Sequence, residues 1–205
     1  MKYEKQFNIN YLLENIDLWL WDWDDTLIDT RTYYVQDMNP EQKDLHDEIL
    51  AGPRTQIAGP MHAWFLNPPY GSLIEKVGAF CRYETSLEPR LSELAIIIVA
   101  RHWSADVEWF AHTEIALNKG ISQETIDAIK KNKYPQFEET DEALIFDITK
   151  SILNTKGLTD ELFKTAVDKI GKKSLLDLTA IIGYYCNIAI QLNVFEIPTD
   201  DGRKL

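Results

Sequence analysis

The sequence predicts an all-α protein. Three observations carry that expectation. From Tyr70 onward, apolar residues recur at three- and four-residue steps. Prolines and capping residues stand at the starts of these segments rather than inside them. No two alternating runs are joined by a hairpin turn.

The elements follow in chain order. Residues 18–27, LWLWDWDDTL, form an apolar run ending in acids, readable as a buried strand or a helix. Asn39-Pro40-Glu41-Gln42 marks a helix start, and Gly52-Pro53 ends that helix near Leu50. A loop carries the chain to Gly59-Pro60, and Asn67-Pro68-Pro69 breaks it again. Leu73, Val77 and Phe80 mark the next helix and are expected to be its buried face. Glu88-Pro89-Arg90 opens a helix running to about Trp103. Asp106 is expected to cap a helix ending at Gly120, and Ser122 a short one reaching about Asn132. Segments 139–154, 159–170 and 174–195 complete a set of about eight. The expected organisation is an N-terminal extension over 1–38 and a helical domain over 39–205.

Charge narrows the function. The net charge is −12 with a pI of about 4.8, and the nearest thing to a basic run is Lys130-Lys131-Asn132-Lys133. A phosphate backbone must be met by clustered cations, so no nucleic-acid partner is expected. The two cysteines, Cys81 and Cys186, form no CxxC and have no zinc spacing, which suits a reducing compartment. The first ten residues are polar and charged, unlike a secretory signal. The longest uninterrupted apolar run, 94–100, is far short of the roughly 18 residues of a membrane span. The expectation is a cytoplasmic protein with no membrane partner.

The chemistry centres on one stripe. Glu108, His112, Ala116 and Gly120 stand four apart, so they share a helix face. Small residues at one end let another backbone come close, which turns the stripe inward, toward an expected pocket with Glu93 on the neighbouring helix and an aromatic or apolar wall from the Gly183-Tyr184-Tyr185 segment. A carboxylate one turn before an imidazole can hydrogen-bond it and fix its tautomer, as an acid/base histidine requires; the same pair can also simply stabilise a helix. On the preceding helix, Arg90, Glu93 and Arg101 suggest a second acid beside cations that could hold a substrate carboxylate. A structural salt bridge is the other reading of those three.

Arg90-Leu-Ser-Glu93-Leu-Ala-Ile, Ala100-Arg-His-Trp, and Glu108-Trp109-x-x-His112-x-x-x-Ala116-x-x-x-Gly120 together resemble the carboxymuconolactone decarboxylase family, within the alkylhydroperoxidase-D-like superfamily. Gly52-Pro-Arg54, Gly59-Pro60, Leu175-Leu-Asp-Leu and Gly183-Tyr-Tyr185 through Asn193-Val-Phe-Glu extend the resemblance over about residues 40–205. It implies an alkylhydroperoxidase-D-like helical fold assembled as a homo-oligomer: a dimer, trimer or hexamer. The peroxidase branch uses a CxxC pair before the histidine, but Ala105 and Glu108 occupy those positions here, and no thiolate can form there. The decarboxylase branch implies cofactor-free, metal-free acid/base chemistry on a small carboxylated or lactone substrate. His112, Glu108 and Glu93 would be catalytic, with Arg90, Arg101, Trp109 and Tyr185 binding substrate. A peroxidase-related antioxidant protein without the CxxC pair and a non-catalytic oligomeric binding protein are the alternatives.

Asp22-Trp-Asp24-Asp-Thr26-Leu27 resembles the first motif of haloacid-dehalogenase-like phosphatases, whose aspartates act at a Mg²⁺ site. That fold needs a parallel sheet with long crossovers, and residues 1–38 are too few to build one. An extension that packs on the helical domain, or a mobile arm, is expected instead.

Overall fold

A computed structural model describes residues 38–199 and 201–205. Among the described residues the protein is all-helical, with eight helices and no strand. They are α1 (Pro40–Ala51), α2 (Met61–Trp64), α3 (Pro68–Tyr83), α4 (Pro89–Trp103), α5 (Asp106–Asn118), α6 (Gln123–Lys130), α7 (Thr140–Thr155) and α8 (Asp160–Val194). The run at 18–27 and the aspartates of the phosphatase-like motif lie outside the described residues.

Local chemistry sets the helix starts. Asn39 accepts from the Gln42 amide while the Gln42 side chain returns to the Asn39 amide, a capping box followed by Pro40. Ser122 and Thr159 cap α6 and α8 more simply, each side chain accepting from the amide three residues on. Asp106 is not a cap: it is the first residue of α5, behind Ala105, and its carboxylate accepts from the Leu205 amide at 2.8 Å. Leu205 is thereby tied to the start of α5. The two final helices expected from sequence run on as α8, interrupted at Gly171 by φ 79°, ψ 161°. Those angles suit glycine and place the break inside the expected gap.

The core forms around α4. Every residue from Leu91 to Ala100 is buried, and a helix apolar on all sides must be covered on all sides. Helices α5, α7, α8 and α6 pack against it. Helix α8 is long and apolar enough to cross a membrane by length and composition, although more than half of its apolar window is buried inside the protein. Core helices of this kind meet the same criterion, so the property does not by itself indicate a membrane.

One expectation about a face is corrected. Leu73, Val77 and Phe80 of α3 are exposed, Leu73 to 66%. The buried face carries Gly71, Glu75, Gly78 and Cys81. Glycine explains the choice, because neighbours come where no side chain stands. A Cβ at Gly71 would meet the Leu45 side chain, and one at Gly78 would overlap the Tyr184 hydroxyl and stand 2.5 Å from Arg54 Nη2. Gly78→Ala should therefore destabilise the protein by about 1–3 kcal/mol through overpacking, although alanine favours an isolated helix by up to about 1 kcal/mol. Urea unfolding measures the balance; an unchanged or higher midpoint would refute this packing.

Candidate active site

Helices α4 and α5 form a hairpin turning at Ser104 and Ala105, with Ser104 in the left-handed region at φ 51°. Two helices joined by so short a turn run antiparallel, so residues far apart in the chain face each other across them. Glu93 on α4 and His112 on α5 meet this way: Glu93 Oε2 lies 2.7 Å from His112 Nδ1. Both are buried, at 6% and 5% exposure. His112 thus takes its carboxylate partner from the neighbouring helix rather than from Glu108, the partner suggested by spacing alone. With Nδ1 held by Glu93, proton exchange with a substrate falls to Nε2.

Glu108 is buried to the same degree, and its Oε2 has no hydrogen-bond partner. Burial pushes its carboxyl up to about 8; Arg54 opposes this, Glu93 adds to it, and Arg82 opposes it more weakly. The Glu108 carboxyl is therefore protonated at neutral pH. One turn of one helix holds a buried acid and an imidazole hydrogen-bonded to a second carboxyl group.

Aromatic rings and an arginine close the site. The Tyr185 ring stands edge-on to the His112 ring, with centroids 5.0 Å apart, and Tyr184 packs edge-on to Tyr185 at 5.1 Å. The Gly183-Tyr184-Tyr185 segment thus brings two aromatic rings to the His112 side of the interior. Burial raises the Tyr185 hydroxyl well above its usual range, with Glu108 and Glu93 adding to it. Arg54, from the loop after α1, donates Nη2 to the Tyr184 hydroxyl at 3.2 Å. Its Nε lies 2.9 Å from Glu75 Oε2, an ion pair whose N–H is not aligned as a hydrogen bond. Burial holds the Glu75 carboxyl above its usual range, against the opposing pull of Arg54. The polar interior thus draws on α3, α4, α5, α8 and the α1–α2 loop.

The other expected residues lie elsewhere. The guanidinium of Arg90 is committed to Glu142 and, at 2.7 Å, to Asp141 on α7. Arg101 donates to the Lys130 carbonyl at 2.7 Å and to Ser104 Oγ at 3.2 Å. Trp109 is buried in the apolar core. The cations acting on Glu108 are Arg54 and Arg82, which sequence reasoning did not place at the site. Arg54 stood in the Gly52-Pro53-Arg54 segment, but nothing in a loop's sequence says which helix it covers. Asp177, in the Leu175-Leu-Asp-Leu segment, accepts from the Ser86 amide and hydroxyl and from Lys173. Burial opposes its charge, yet these donors hold its carboxyl below the usual range. It joins the α3–α4 turn to α8, a structural role.

A pocket was expected at Glu108 and His112. Cavities of about 250 and 200 Å³ lie elsewhere among the described residues, lined by neither Glu108 nor His112. The larger is bordered by Arg90, Ser122, Glu138 and Glu142, and the smaller by Arg101, Lys133, Tyr134 and Lys150. Among the described residues, no group of three or more His, Cys, Asp or Glu side chains is arranged to hold a metal ion.

Fold and site together define an all-helical protein with a buried imidazole–carboxylate pair beside a protonated carboxyl. The chain matches no family model and no curated protein sequence.

Proposed function

We propose that the protein is a carboxymuconolactone decarboxylase-like enzyme that performs cofactor-free acid/base chemistry on a small carboxylated or lactone substrate. One observation carries the reading: the Glu93–His112 contact of 2.7 Å, one turn from a buried, unpartnered Glu108. Burying three ionisable groups costs stability, and apolar residues of the same size would pack as well. Such clusters are characteristic of sites that move protons.

In the proposed step, the carbon–carboxylate bond breaks and CO₂ leaves. The electron pair remains on carbon and is delocalised into the adjacent carbonyl. Glu108 is the acid that can protonate that carbon, and His112, oriented by Glu93, exchanges the proton with substrate or water. Arg54 stabilises negative charge as it develops. The thiols take no part: burial pushes Cys81 up to about 11 and also raises Cys186.

The test is CO₂ release from a panel of small lactone carboxylic acids. The kcat/KM of an active substrate should be level below about pH 8 and fall about tenfold per unit above it, as Glu108 loses its proton. Replacing Cys81 and Cys186 together by Ser should leave turnover within about a few-fold. No release from any member, or activity lost with the two thiols, would defeat the proposal.

A further inference from the structure

The cavity of about 200 Å³ differs from the rest of the protein in charge. Acids outnumber Lys and Arg by 33 to 21 in the chain, yet three cations and no acid line this cavity: Arg101 of α4, Lys133 after α6 and Lys150 of α7. None of the three forms an ion pair among the described residues. Lys133 belongs to the Lys130-Lys131-Asn132-Lys133 run, to which the chemistry at His112 gives no role. Arg101 is held in place by the Lys130 carbonyl and Ser104 Oγ. His102, next in the chain, registers the same field: burial first, then Lys150 and Lys156, push its imidazole below its ordinary value. The floor of the cavity is apolar. Ile98, Ile129 and Phe146 are buried there, and the more exposed Tyr134 stands edge-on to Phe146 at 5.0 Å.

We infer that this cavity is a binding site for a small aromatic carboxylate, its ring seated on Ile98, Ile129 and Phe146 and its carboxylate between Arg101, Lys133 and Lys150. Charge selects an anion. Three like charges around one opening repel one another, and a bound anion relieves that repulsion. The floor selects an apolar body, because water gains little against Ile and Phe side chains. Size selects a single ring. A cavity of about 150 Å³ with walls of this kind holds benzene, so about 200 Å³ leaves room for a ring and one carboxylate. Tyr134 and Phe146 already pack edge to face, the arrangement a further ring would extend.

The head group is a carboxylate rather than a phosphate. Phosphate dianions are held best by backbone amides, at helix N-termini and in nests. The helix end that meets this cavity, at Ile129, is the C-terminal end of α6, where carbonyls carry partial negative charge. Side-chain cations alone balance the ligand there, and a monoanion is repelled less by those carbonyls than a dianion. The lining includes none of Glu93, Glu108 and His112. This inference is independent of the chemistry proposed for His112.

Titration of the full chain with benzoate, followed by methyl NMR, should give a Kd of about 0.1–1 mM, with the largest shifts at Ile98 and Ile129. Benzyl alcohol keeps the ring without the charge and should bind at least about tenfold more weakly. Lys133→Gln combined with Lys150→Gln should weaken benzoate by at least about tenfold with native circular dichroism. If the pair loses helicity, Lys133→Gln alone decides, with a loss of about threefold or more. No saturable binding up to about 10 mM benzoate would overturn the inference. So would equal affinity for benzyl alcohol, tighter binding of phenyl phosphate, or native affinity in the folded lysine variants. Binding lost in His112→Gln and kept in the lysine variants would place the ligand at His112 instead, overturning this inference but not the chemistry proposed there. Carbodiimide coupling of Lys133 or Lys150 to Asp22 or Asp24 in the ligand-free chain would overturn it as well, because the cavity would then be filled by the chain itself.

Discussion

His112→Gln is expected to lower turnover by about a hundredfold or more, the usual contribution of a positioned acid/base group. Glutamine can still reach Glu93 with an amide donor, so the buried carboxylate keeps a partner and the fold should survive. What is lost is a ring nitrogen able to take up and release a proton. Glu93→Gln should cost less, because the imidazole remains and only its orientation and its anionic partner are weakened. The comparison is made on whichever lactone acid releases CO₂, with circular dichroism as the check on folding. Native turnover in His112→Gln would remove the imidazole from the mechanism.

The second large effect is on stability. The Glu108 carboxyl has a folded-state value of about 8 against an ordinary carboxyl value of 4.5. Between these values the unfolded chain has released the proton and the folded chain still holds it. The unfolded state therefore binds fewer protons, and stability falls as pH rises from about 4.5 to about 8, then levels off. A shift of this size corresponds to roughly 4–5 kcal/mol across the window, as an upper order of magnitude. Glu108→Gln keeps the shape and removes the titration. It should flatten the dependence and leave the protein a few kcal/mol more stable than native at pH 8. Urea unfolding at pH 5.5 and pH 8 measures both chains. If the native protein shows no greater loss than Glu108→Gln, Glu108 is not protonated in the folded state. A more stable but less active Glu108→Gln is the pattern expected when a buried acid is kept for chemistry.

Two residues show how the acid/base reading divides between sequence and fold. The four-residue spacing of Glu108 and His112 was enough to put both on one buried face, because helical periodicity is a local property. The identity of the imidazole's partner was not local. It depended on how sharply the chain turns at Ser104 and Ala105, and the structure gave that place to Glu93. Arg54 is a plainer case. Its sequence neighbours describe a loop, and only the packing of that loop beside Gly78 brings it to Tyr184 and Glu75.

Helix α3 makes the same point about burial. Its most apolar stripe, Leu73, Val77 and Phe80, was the natural choice for the core, yet Gly71, Glu75, Gly78 and Cys81 face inward. Hydropathy records which surface gains by leaving water, not what will cover it. Within one chain, close approach at two glycines and the Arg54–Glu75 pair settled the inner face.

The sequence by itself determined the helical class, the helix starts at Asn39, Ser122 and Thr159, the break near Gly171 and the inward stripe of Glu108, His112 and Ala116. Each of these depends on interactions within a turn or two of the backbone. Only the tertiary structure decided which carboxylate holds His112, which arginine reaches the site and which face of α3 is buried. Those depend on contacts between residues far apart in the chain, and the distances that decide them exist only once the helices have packed.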